Sequence, residues 1–188
     1  ATAIVALLAI GMAPVMIMRH IDLSIASTVG FSAWLVADFC AKNPDFTWWQ
    51  CFVIGGAVGI AVGAINGLLV AGLRLPSLVV TLGTLYIVRG GVYVVSNSVD
   101  YNAQEMPPSL LSLGQRTFGG LLPFPFLMVL ILMVIVAWYM KYTKAGRDCY
   151  AIGSNPPAAD LVGLKVFRRT FLAYIFCGFI AGISGVFY

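Results

Sequence analysis

The chain has 188 residues, of which 61% are hydrophobic and 10% charged, and its net charge is +4. A soluble domain carries roughly a quarter charged residues and about half apolar ones. The balance therefore excludes an ordinary water-soluble domain and points to lipid as the main solvent. A signal peptide does not explain it, because that would be one short segment and several apolar runs are present. The chain opens on Ala1 and its last apolar run stops at Tyr188, so it reads as a piece of a longer protein, incomplete at both ends.

A spanning helix needs roughly 20 mainly apolar residues, and backbone groups in lipid must be satisfied internally. The first run, 1–18, ends at Arg19-His20. The second covers 24–40. The polar patch "AKNPDFT" follows, with Trp48-Trp49 at its edge in the manner of an interfacial aromatic belt. The third run is 49–73. The fourth is 76–95, interrupted by Arg89. A polar connection, 96–118, carries Asp100, Glu105 and Arg116. The fifth run, 121–140, has no charge, and after the loop 141–170 a sixth begins at 171. The expected fold is all-α, a polytopic helical membrane protein with about six spanning segments in a single unit, 1–188.

Alternating the sides groups Arg19, Arg74, Lys141, Lys144, Arg147, Lys165, Arg168 and Arg169 on one face, against Lys42 and Arg116 on the other. The positive-inside rule makes the first face, with the loop 141–170, cytoplasmic. The net charge follows from topology, and no nucleic-acid partner is expected. The lone His20 has no metal-ligand partner at suitable spacing, and no two cysteines form a Cys-x-x-Cys pair. Cys40 and Cys51 lie either as free thiols or as a disulfide across a short outer loop. No cofactor or metal is expected, and no phosphate-binding glycine-lysine loop is present, so the chain is not expected to hydrolyse ATP.

In "GGAVGIAVGAING", Gly55, Gly59, Gly63 and Gly67 recur every fourth position. Such a stripe lets two membrane helices approach closely. Asn66 beside it, with Thr81, Thr84 and Arg89 on the fourth run, are candidates for lining a substrate path. Arg89 either faces such a path or snorkels to an interface. In "RHIDLSIAST", Asp22 or Ser24 can cap the second helix, or the stretch is a broken helix lining a cavity.

The segment "GRDCYAIGSNPPAADLVGL", 146–164, predicts a helix over 156–162. Asn155 is the cap, Pro156 suits the first position, Asp160 complements the helix dipole, and Gly163 can end the helix in the left-handed conformation. A helix this short needs something to dock on.

The stretch "GRDCYAIGSNPPAADLVGLKVFRRT" resembles the cytoplasmic loop of the permease subunits of bacterial sugar importers driven by ATP-binding cassettes, of the ribose, xylose, galactose, rhamnose and autoinducer-2 type. The match falls on Gly146, Arg147, Tyr150, Ala151, Ile152, Gly153, Asn155, Ala158, Ala159 and Gly163. "IDLS", 21–24, and "INGLLVAGLRLPSLVVTLGTLYIVRG", 65–90, match further family motifs; Ala26 stands where the family usually has Gly. The resemblance implies about ten segments in the full permease, a second permease subunit, a periplasmic sugar-binding protein and an ATPase. It also implies that Asn155, Pro156, Ala158, Ala159, Asp160, Leu161 and Gly163 form the helix that couples to the ATPase. The rival reading is a stand-alone secondary transporter of a small polar solute; it should carry inward-facing acids, whereas all seven acids fall in or near loops.

Overall fold

The computed structural model describes residues 2–43, 45–96, 101, 106–115, 117–118 and 122–188. Asp100, Glu105 and Arg116 of the polar connection lie outside them. The described residues form α1 (Thr2–Ile17), α2 (Ile25–Lys42), α3 (Trp48–Gly67) running into a π-helical turn (Leu68–Gly72), α4 (Ser77–Ser96), α5 (Pro108–Gln115), α6 (Phe124–Tyr142), α7 (Lys144–Ser154), α8 (Pro156–Leu161) and α9 (Val166–Val186). A two-stranded antiparallel ladder, Thr117–Phe118 with Leu122–Pro123, precedes α6. The protein is thus a polytopic helical membrane protein. Among the described residues, four helices are long and apolar enough to cross a bilayer: α3 with its π turn, α4, α6 and α9. The first two apolar runs form α1 and α2, of 16 and 18 residues.

Two parts of the chain differ from the expectation. The loop 141–170 is mostly helical: α7 occupies 144–154, and α9 starts at Val166 rather than 171. The connection 96–118 holds α5. The signal for α7 is present in the sequence. Thr143 caps it by accepting from the Gly146 N–H at 3.0 Å, and Gly146, Cys149, Ile152 and Gly153 recur on one buried face. Its charged residues hide that periodicity inside an apolar chain.

The bundle is built around α9, which packs against α1, α2 and α3. In lipid there is no hydrophobic drive between helices, so packing depends on close van der Waals approach. The α3 stripe supplies it. A Cβ on Gly59 would collide with the carbonyl of Gly178, one on Gly63 with that of Tyr174, and one on Gly55 with that of Gly182. The contact is reciprocal, because a Cβ on Gly178 or Gly182 would strike the carbonyls of Gly59 and Gly55. Ser32 of α2 donates to the Gly182 carbonyl at 2.7 Å. By contrast, α4 and α6 keep most of their apolar surface outward, Ile87, Val94, Ile131 and Val134 among it.

Arg19 and Arg74 end α1 and the π turn with φ of 64° and 53°. His20 N–H reaches the Val15 carbonyl and Arg19 N–H that of Met16, which closes α1 as a Schellman motif with arginine where glycine is usual. An L-residue held there costs on the order of 1–2 kcal/mol. Between α2 and α3, Cys40 and Cys51 are free thiols, buried, with sulfurs 3.6 Å apart.

Candidate functional site

Two polar stretches stand out in this apolar bundle. The first is the α1–α2 connection, folded inward against α3 and α4. Asp22 is buried, and one oxygen of its carboxylate accepts from the Ser24 N–H at 3.0 Å and the Ser24 hydroxyl at 2.6 Å. The Asn66 amide donates to Ser24 Oγ at 2.8 Å and reaches Asp22 at 3.4 Å. The Thr84 hydroxyl donates to the Asn66 carbonyl oxygen at 2.6 Å. A relay of hydroxyl, amide, hydroxyl and carboxylate therefore joins α4, α3 and the connection. Asp22 acts on the entry to α2 through the Ser24 N–H, while Ser24, at the N-cap position, makes no side-chain cap of its own. Thr81 bonds the Ser77 carbonyl at 2.8 Å and comes within 3.4 Å of the Ile21 carbonyl.

The path candidates are thus divided. Asn66, Thr81 and Thr84 are buried and face the connection. Arg89 is exposed on another side of α4, and among the described residues it meets no hydrogen-bond or ion-pair partner. Sequence reading did not foresee that Asp22 and Ser24 would complete this cluster. Their polar character was legible, but the contact with Asn66 joins residues 42 and 44 positions apart.

The second stretch is the α7–α8 corner. Its glycines explain the spacing of the motif. A Cβ on Gly146 would strike backbone of Met140 and one on Gly153 the Ile17 carbonyl, so both ends of α7 lie directly on neighbouring main chain. Arg169 of α9 donates twice to Asp148 Oδ2, at 2.9 and 2.6 Å, and fixes α7 from the other side. Burial pushes the Cys149 thiol up, which makes it an inert packing residue. Burial likewise holds His20 below the usual imidazole range, so it adds no charge near neutral pH.

Asn155 caps α8 by accepting from the Ala158 N–H at 3.3 Å, and both prolines stand in the first turn. Gly163 follows at φ 75°. Ala159 turns inward and is 3% exposed, in the buried apolar cluster that also holds Met18 and Ile152. Leu161 and Val162 point outward, 88% and 74% exposed. Ala159 therefore seats the helix on its own protein, and the free apolar surface belongs to the other two. Gly153→Val should lift the corner off α1. Limited proteolysis should then cut within 155–165 several times faster than in the parent, and an unchanged cutting rate would show that the close approach is not needed.

A helical bundle with a polar cluster sealed between helices, and a capped apolar helix displayed at one end, defines the class: a multi-helix membrane protein. The chain belongs to the family described as "Branched-chain amino acid transport system / permease component", whose match runs over residues 1–188. It is 39% identical over 183 residues to the autoinducer 2 import system permease protein LsrC of Enterobacter sp. (strain 638), covering 97% of this chain and 52% of that one. The LsrC protein of Klebsiella pneumoniae gives the same figures, and that of Yersinia pestis is 32% identical over 183 residues. The chain spans about half the length of these relatives. No solved structure matches. The resemblance carried by 21–24, 65–90 and 146–170 is borne out.

Proposed function

We propose that this chain is the membrane-spanning part of an ATP-driven importer for a sugar or sugar-like solute, and that α8 couples it to a cytoplasmic ATPase. The observation that carries the reading is the outward pair Leu161 and Val162 on a six-residue helix that is capped and seated on the bundle. Apolar side chains so exposed, at the end of the bundle that gathers Arg19, Arg74, Lys165 and Arg168, suit an interface with a soluble subunit rather than lipid. The relatives' name, an autoinducer 2 import permease, supports a small sugar-like cargo. A second permease subunit and a periplasmic binding protein complete the assembly, in a bacterial inner membrane with 141–170 on the cytoplasmic side. Hydrolysis belongs to the partner, and this chain supplies the path and the coupling.

The test is co-purification. Leu161→Asp should insert normally and lose the ATPase, since removing a well-packed interface anchor costs about 1–4 kcal/mol, roughly 5- to 1000-fold in affinity. Undiminished complex with undiminished uptake would place the docking surface elsewhere.

One observation favours the second reading, a secondary transporter: Asp22 is a carboxylate buried in the bundle. Its bonds to Ser24 and Asn66 suit a structural role better than ion release. Uptake that collapses when the proton gradient is dissipated at constant ATP, and in Asp22→Asn, would favour that rival.

A further inference from the structure

Among the described residues, two non-glycine positions hold left-handed backbone, and both are arginines. Each ends a helix of the bundle, α1 at Arg19 and the π turn after α3 at Arg74. Glycine would serve the backbone better at both places. What arginine adds is reach. Nη2 of Arg19 donates to the Ser154 carbonyl at 3.0 Å, at the C-terminal end of α7 where the helix dipole is negative. Nη2 of Arg74 lies 3.7 Å from the Asp160 carboxylate of α8. Two strained helix ends, 55 positions apart in sequence, thus grip the two sides of one corner.

The grip spans a gap. A cavity of about 890 Å³ lies there, with Pro156, Pro157 and Asp160 on one wall and Arg19, Val70 and Arg74 on the other. Directional bonds, rather than packed side chains, join the two sides of this open cleft. The side chains of Arg74 and Asp160 are 83% and 51% exposed, so their pairing adds little to stability and bears on the position of α8. Strained backbone of this kind collects where movement is part of function.

We propose that Arg19 and Arg74 are positioning residues that transmit displacement of α8 into α1 and α3. The proposal rests on the reading that α8 meets the ATPase. Glycine at each position keeps the turn, relieves the strain and removes the tether. In the permease assembled with its ATPase and reconstituted in vesicles, the double variant Arg19→Gly with Arg74→Gly should melt at or above the parent temperature and retain the ATPase. Sugar uptake and its coupled ATP hydrolysis should fall about fivefold or more, the lower end of ordinary coupling between sites. Arg74→Asp should lose uptake, and adding Asp160→Arg should restore part of it.

Parent-level uptake in the double variant would overturn the proposal. So would a lower melting temperature with loss of the ATPase, the pattern of a simple brace. The docking reading fails separately, when Leu161→Asp keeps its ATPase. If Leu161→Asp releases the ATPase while the double glycine variant transports normally, the tether alone is wrong.

Discussion

Gly59→Leu will abolish the folded protein. A Cβ at 59 would collide with the Gly178 carbonyl and press on the Gly182 backbone N, and a leucine adds three more carbons. A flexible side chain could yield to such an intrusion; main chain at the centre of two helices cannot. Overpacking a well-packed core costs about 1–3 kcal/mol even where neighbours can shift. With backbone on both sides, about 3 kcal/mol or more is expected. The measurement is the monodisperse yield and melting temperature in detergent, against Gly83→Ala on α4 as control. Nothing lies within 4 Å of a Cβ at 83, so that variant should stay within about 1 kcal/mol of the parent. Equal melting of the Gly59 and Gly83 variants would remove the helix contact from the account.

The second large effect is expected at Asn66. Its amide is the middle of the buried relay, accepting from Thr84 and donating to Ser24 while reaching Asp22. Asn66→Leu deprives all three at once. Each buried polar group left without a partner costs about 1–3 kcal/mol, and more for a charged one. The connection 19–24 should then detach from α3 and α4. Thr84→Val takes away one donor and leaves the Asn66 bonds to Ser24 and Asp22, so its cost should be near the low end of that range. Melting curves of the two variants decide it. Asn66→Leu should be clearly the more damaged, and the reverse order would mean that the relay does not hold the bundle.

The contrast between these residues explains what the sequence made legible. The Gly55–Gly67 repeat is a pattern within one helix, so spacing alone located it. Its counterpart on α9, Gly178 and Gly182, is a single step of the same kind, which marks a packing face but not the helix it meets. The membrane runs, the α8 cap and the break at Gly163 were visible for the same reason: each depends on neighbours in sequence. Which way a residue faces was not. Ala158 and Ala159 look alike in "PPAADLV", yet only Ala159 is buried, in the apolar cluster that holds Met18 and Ile152. Asp22 counts as a loop residue by position and is sealed in the bundle by an amide 44 residues away. Arg19 and Arg74 looked like topology signals, and their left-handed backbone has no signature in residue type, since glycine or asparagine is the usual occupant.

The interlocked glycines of α3 and α9 also settle where this molecule can change shape. Sliding α9 by one residue would bring Phe179 and Ile183 to the places of Gly178 and Gly182, where no side chain fits. A one-residue slip is therefore closed to the pair, and small motions carry the two helices together, as one post. Changes of shape among the described helices fall to those that touch the post lightly: α4, held by threonines and a few apolar contacts, and α6, most of whose surface faces away.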